Sequence, residues 1–419
     1  MPDYKKKRIN RFKPAPRRKR ALPTDEDIKM TPADKRRKKS EKPEKTPEMP
    51  LRVVNGKKLE RRRKTGMFFS VALIIALILT VFQLVLPAGI TENTENLISL
   101  IGKGSYPISL ESTETQSAVS RGSYYYVLTD TRLNAFANGG KEIYSHSHGF
   151  ENPVMKTSST RALVFDQGGN EAYIYNLHEL KSSINSDAEI INAAVSDSGV
   201  YAVVTRSESY ASVVTVYSKR GKKIYTWYSS ADTVNNVAVA PNGKKIAVST
   251  FNSTNGKFVS KICILNFDSA NPISSVDVEG GPVITLNSFH RTGFIAATEN
   301  KLYFINWSGK NNTEYKNDYT LSRLSAGTGG TVAVFNREND RADNRIVLFG
   351  TNGQLKKEFE FKGTVGDIAV SGGHIYCISD TKTFVYDIDG TLVRTGECGY
   401  GCKRLAVTGT YSVAVITDT

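Results

Sequence analysis

From about residue 105 to the end of the chain, short segments rich in Val, Ile, Tyr, Phe and Thr are separated by Gly, Asn, Asp and Ser, and the segments recur in sets of four. The set near 364–396 reads VGDIAVSGG, HIYCISD, TKTFVYDIDG and TLVRTGE; the set in 118–145 reads AVSRG, SYYYVLTD, TRLNAFANGG and KEIYS. Turn residues at such close intervals leave no room for an ordinary helix, and His178-Glu179-Leu180 reads at most as a turn. A chain of this pattern is all-β and repetitive.

The spacing of the sets narrows the architecture. First-strand midpoints at Val119, Met155, Val195, Val239, Asn287, Leu324, Val370 and Val407 lie 36 to 48 residues apart. Four strands in about 40 residues make a β-propeller blade, whereas a solenoid uses fewer strands per repeat. Asn242-Gly243, Ser198-Gly199, Asn352-Gly353 and Asp389-Gly390 sit between apolar strands, where a hairpin needs φ > 0. Seven full sets end near Gly399, yet KRLAV (403–407) and YSVAVIT (411–417) still read as a first and a second strand. A lone pair would leave raw edges. The sequence therefore predicts closure with strands from the start of the domain, such as Tyr106–Leu110, giving eight blades with one shared between the two ends. Seven blades is the alternative, if the end strands complete an existing blade.

The first 104 residues obey different rules. Residues 1–66 hold 25 basic and 9 acidic side chains and eight of the fourteen prolines, while residues 67–419 hold 31 basic and 32 acidic ones. The basic tail is too poor in apolar side chains to offset the entropy of ordering, so it reads as disordered. Its runs suit contact with anionic lipid or an acidic partner. It carries no base-reading motif, and the charge-balanced remainder gives no bulk attraction to nucleic acid.

Met67 to Leu86 is a run of twenty residues without a formal charge, enough to cross a hydrocarbon core of roughly 30 Å as one helix. Arg61, Arg62, Arg63 and Lys64 precede it, and no Lys or Arg follows until Lys103. The positive-inside rule then places the N-terminus in the cytoplasm and the β domain across the membrane. Residues 87–104 read as a polar stalk, and residues 105–419 as an extracytoplasmic domain.

Two strand–turn–strand segments, VAPNGKKIAVS (239–249) and VSDSGVYAVV (195–204), resemble the core of WD40-like and YVTN-like propellers. From about residue 60 onward, the order of basic cluster, anchor and propeller resembles an uncharacterised family of membrane-anchored, WD40-like bacterial proteins. The resemblance implies a fold and a place in the bacterial cytoplasmic membrane, and supplies no activity. The recurring Gly-His and Trp-Asp signature of eukaryotic WD40 blades is lacking, with no Trp-Asp pair and a single Gly-His at Gly373-His374, so no eukaryotic partner code is carried over.

Residues capable of chemistry are scattered. His146 and His148 share a strand face but have no third ligand in the sequence, so no metal site is assigned. Asp387-Ile388-Asp389-Gly390 reads as a hairpin turn rather than a calcium loop, and no Gly-x-Ser-x-Gly elbow occurs. Cys398 and Cys402 enclose Gly-Tyr-Gly and could be free thiols or a local disulfide. Tyr124-Tyr125-Tyr126 and Trp227-Tyr228 offer either core packing or a stacking surface. The sequence thus favours a non-catalytic, membrane-anchored binding or scaffold protein for a protein, peptide or wall polymer, with no cofactor. A transmembrane sensor signalling through its tail, and a propeller hydrolase or lyase with an axial site, are the alternatives.

Overall fold

A computed structural model describes residues 104–111, 114–289, 292–310 and 312–417, together with Ser70, Leu73, Ile74 and Leu100. The basic tail, Arg61 to Lys64 and nearly all of Met67–Leu86 lie outside the described residues; Ser70, Leu73 and Ile74 are helical. Among the described residues no helix is long and apolar enough to cross a membrane.

The predicted strand sets are present. Seven four-stranded antiparallel sheets follow one another in residues 115–147, 153–185, 190–229, 233–278, 285–316, 320–362 and 365–397, each a meander in sequence order. These are blades 1 to 7 of a β-propeller. Second strands such as Gly293–Ala297 and Gly330–Arg337 are almost continuously buried, because both faces pack against neighbouring blades. Fourth strands such as Leu355–Lys362 and Leu392–Glu397 are largely exposed. The apolar clusters accordingly lie between sheets: Val332, Val334, Ile346 and Leu348 of blade 6 meet Val365, Ile368, Ile375 and Cys377 of blade 7.

Hairpin glycines also join blades. Gly243 and Gly353 adopt φ of 66° and 76°. A Cβ on Gly243 would lie 2.3 Å from Ser198 Oγ of blade 3, and one on Gly353 would lie 2.6 Å from the Phe304 ring of blade 5. Each turn therefore needs glycine both for its backbone and for the close approach of the preceding blade.

A second device joins the blades from inside. In five of the seven first strands, and in the matching strand Cys402–Gly409, the ladder breaks or shifts register near the strand start, the mark of a β-bulge; the exceptions are Pro153–Thr157 and Thr285–Phe289. Restricted to strands with a polar residue just past the bulge that reaches the next unit, five cases remain. Asn192 Nδ2 donates to Asn235 O at 3.0 Å, and Asn236 Nδ2 to Val283 O at 2.9 Å. Arg323 Nε donates to Gly366 O at 3.1 Å, Asp367 Oδ2 accepts from Leu405 N at 2.9 Å, and Arg404 Nε donates to Gln116 O at 3.0 Å.

The prediction of eight blades is corrected. Cys402–Gly409 and Ser412–Thr417 form only a two-stranded sheet, in which Cys402–Gly409 lies between the first strands of blades 7 and 1. Tyr106–Leu110 is not a strand and supplies no ladder. Pro107 has no N–H to give, and Tyr106 is held by blade 1, its hydroxyl donating to Asn138 O at 3.2 Å and lying 3.0 Å from the Tyr125 hydroxyl. The propeller thus has seven complete blades and a two-stranded sheet between the last and the first.

A candidate binding cleft at the two-stranded sheet

The two-stranded sheet lacks the third and fourth strands that extend every other blade outward. A cavity of about 850 Å³ lies there, within the range of roughly 300–1,000 Å³ typical of ligand pockets. Tyr125, Val127 and Phe136 of blade 1 form one wall, Val413 to Thr417 form the floor, and residues 106–110 form a strap on the outer side. Ile108 and Leu110 of the strap pack with Phe136, Ala414 and Ile416. Glu114, Glu397 and Cys398 stand at the rim.

The strap is fixed by its own sequence. A Cβ on Gly104 would fall 2.0 Å from Lys141 N, so only glycine lets the chain cross the last turn of blade 1 this closely. Glu111 reaches Arg132 at 3.9 Å across the same blade. Burial, reinforced by the bond with Tyr106, raises the Tyr125 hydroxyl well above the usual tyrosine range and keeps it protonated.

The orientation of the floor's backbone follows from two hydrogen bonds. Leu405 N donates to Asp367 Oδ2 and Val407 N donates to Ser120 Oγ at 2.5 Å, so both N–H groups point away from Ser412–Thr417. In an antiparallel pair a residue's N–H and C=O point to the same side. Ala406 therefore exchanges bonds with its partner Ala414, and the N–H and C=O of Val413 and Val415 face the cleft. Among the described residues these groups have no backbone partner.

The thiols at the rim are free. Cys402 Sγ donates to Cys398 O at 3.0 Å and lies 3.2 Å from Gly399 O. Burial first, then the neighbouring Cys402 thiol, pushes Cys398 up to about 12, which keeps it protonated at neutral pH.

The other residues singled out in the sequence serve packing. His148 is buried, with Nε2 3.2 Å from Thr129 O while Nδ1 accepts Phe150 N–H at 3.1 Å. His146 lies 3.1 Å from the Tyr175 hydroxyl and stacks on Tyr144. Burial lowers both imidazoles and favours the neutral form. Among the described residues no group of three His, Cys, Asp or Glu side chains is arranged for a metal. Asp387 Oδ1 accepts the N–H of Asp389 and of Thr391, the hairpin turn read from sequence. Tyr125 and Tyr126 are core residues and Trp227 Nε1 donates to Ala270 O, whereas Tyr228 stays exposed against Tyr210.

Sequence reasoning missed the acid that joins blade 7 to the pair. Asp367 accepts Ile368 N–H and Leu405 N–H, each at 2.9 Å, and is flanked by Arg323 and Arg404. The residue as a whole is only half-buried, but burial around its carboxyl raises it above the ordinary aspartate range, against the pull of both N–H groups and both arginines. Both oxygens are occupied by backbone donors.

A sequence profile described as a family of unknown function matches residues 103–419. The chain belongs to DUF5711. No curated protein matches it in sequence. Among solved structures, the DUF5711 chain is similar to the computationally designed Ika8 protein at 11% identity and a TM-score of 0.53, covering 76% of this chain and 97% of that one. It is also similar to the C-terminal WD40 domain of Sif2, at 12% identity and a TM-score of 0.52 over 76% and 99% of the two chains. A third likeness is to dihydro-heme d1 dehydrogenase NirN, at 11% and 0.51 over 70% and 68%. At such identity these likenesses show the propeller fold of this chain and leave activity to the site.

Proposed function

We propose that this protein is a membrane-anchored, non-catalytic binding or scaffold protein of the bacterial cytoplasmic membrane. In this reading residues 1–66 lie in the cytoplasm, Met67–Leu86 is the anchor, and the propeller is presented on the outer side. The apolar run, with Arg61 to Lys64 on one flank only, supports the topology. The basic tail would meet anionic lipid on its own side of the membrane.

The observation that carries the binding role is the cleft of about 850 Å³ at the two-stranded sheet. It combines an apolar wall with main-chain donors and acceptors that have no backbone partner among the described residues, a combination suited to recognition. The charged groups of the inner strands, Arg323, Asp367 and Arg404, are by contrast already bonded to neighbouring main chain. A photoreactive amino acid placed at Ile108 of the full-length protein in intact cells tests the reading, with exposed Lys310 as the control position. Discrete adducts are expected from Ile108 and not from Lys310, and Ala414→Trp, which fills the cleft, should abolish them. Identical adducts from both positions, or none from Ile108, would sink the proposal.

A further inference from the structure

The cleft has the form of a strand site with its strand missing. Every second strand of blades 1 to 7 is paired on both sides, to a first and to a third strand. Ser412–Thr417 is the exception among the described residues: it pairs with Cys402–Gly409 alone, and the Val413 and Val415 main-chain groups point into the cavity. Its burial reflects this. Gly293–Ala297 is buried at all five positions, whereas Ser412–Thr417 is exposed at Ser412 and then alternates between half-buried and buried, with Val413 and Val415 left half-open.

The geometry points to β-strand addition: the cleft takes an extended segment of a partner polypeptide, which pairs antiparallel with Ser412–Thr417 as the third strand of the incomplete unit. This inference rests on the binding role proposed above and names the ligand class. Only an extended main chain presents acceptors and donors at the repeat that Val413 and Val415 require. Alternate side chains of the guest would fall on opposite faces. One set would meet Phe136, Ile108 and Leu110 and is apolar; the other would turn toward Glu397 and Cys398 of blade 7.

Charge selects the guest further. The charged side chains lining the cleft are Glu114 and Glu397, and no Lys or Arg lines it among the described residues. Glu397 is only loosely held, by Lys382 at 3.7 Å with both side chains more than half exposed. A guest strand carrying Lys or Arg at its ends or on its blade-7 face is therefore favoured over an acidic one.

The test uses full-length protein in phosphatidylcholine nanodiscs and a fluorescent eight-residue peptide of alternating valine and threonine with a lysine at each end. Saturable binding by fluorescence anisotropy is expected, weakened at least tenfold when every peptide amide is N-methylated. Amide exchange at Val413 and Val415 should slow at least tenfold on binding, with Ala414, already bonded to Ala406, unchanged. Glu114→Lys combined with Glu397→Lys should weaken binding at least threefold at low salt without altering exchange in blades 2 to 6. Equal affinity of the N-methylated peptide overturns the strand mode, as does unchanged exchange at Val413 and Val415. The same holds for protection of those amides without peptide in a dimer that Val415→Lys dissolves, since the edge would then belong to a second copy of the chain. If Ile108 captures adducts that Ala414→Trp abolishes while the peptide fails, strand addition falls and the binding role stands. If the peptide binds as expected and Ile108 captures nothing in cells, the binding role falls instead.

Discussion

Removal of the Asp367 carboxylate should weaken the junction between blade 7 and the two-stranded sheet by an amount that follows from its bonds. Asp367→Ala leaves the N–H groups of Ile368 and Leu405 without their acceptor. Each unsatisfied donor costs about 1–3 kcal/mol, and loss of the carboxylate's own desolvation returns part of that, so the net cost is roughly 2–4 kcal/mol. With about 2.1 cal/mol/K of unfolding entropy per residue over residues 105–419, each kcal/mol lowers the melting midpoint by about 1.5 °C, and the expected shift is about 3–6 °C. Asp367→Asn keeps one acceptor and should lose about half as much. The pH dependence has a fixed sign. Because burial raises the folded carboxyl above its unfolded value, the folded state holds the proton more tightly. The stability this provides is complete below about pH 4 and is lost as pH rises through the raised value. The advantage of wild type over Asp367→Asn should therefore shrink between pH 4 and pH 7. Far-UV circular dichroism melts of the full-length protein in detergent, with amide exchange at Leu405, measure both effects. A shift below 1 °C for Asp367→Ala, or an advantage over Asn that grows with pH, would refute the assigned role.

Three further outcomes follow from the same geometry. Gly353→Ala places a Cβ 2.6 Å from the Phe304 ring at φ 76°, and should cost about 1–3 kcal/mol, whereas Gly122→Ala, at φ 66° with nothing within 4 Å, should cost about 1 kcal/mol or less; equal melting shifts would remove the packing argument. With its thiol pushed up to about 12, Cys398 should react with iodoacetamide at pH 7.5 at least ~100-fold more slowly than a free thiol, followed by peptide mass spectrometry; a rate within about tenfold of the free thiol would contradict its burial. Replacing Arg61, Arg62, Arg63 and Lys64 together by Gln should leave part of the population protected from protease added outside spheroplasts, while wild type loses its propeller completely; identical digestion would show that this cluster does not set the orientation.

The repeat was legible because burial on both faces writes itself into composition. Second strands such as YAVVT, GFIAA and HIYCIS are nearly all apolar, and the midpoints from Val119 to Val407 all fall within their strands. The number of blades was misjudged at one step. KRLAV and YSVAVIT do form two strands, but the rule that an edge must be covered drew in Tyr106–Leu110, whose Pro107 and Tyr106-to-blade-1 bonds fit a strap instead. The bulge-borne bonds of Asn192, Asn236, Arg323, Asp367 and Arg404 were hidden because a bulge is an offset between two strands and leaves no period in either. The cleft was hidden for a related reason: it arises where two strands are missing, and no residue type marks a missing strand.

The two hidden features are connected. A ring whose units were held only by apolar contact between broad sheets would be weakest at a two-stranded unit, which has half the surface of a blade. Here the unit is secured close to the first strands: Arg404 bonds to Gln116 and Val407 to Ser120 on one side, while Leu405 bonds to Asp367 on the other. Closure thus depends on the inner strand, and the outer strands are free to be absent. The strap of residues 106–110 then covers the flank of blade 1 at Tyr125 and Phe136 without pairing with Ser412–Thr417, so among the described residues the main-chain edge stays open. An open edge invites aggregation unless it is guarded; this one lies in a recess, shielded by the strap and rimmed by Glu114 and Glu397. The proposed guest strand would enter that recess, between the strap and Val413 to Thr417.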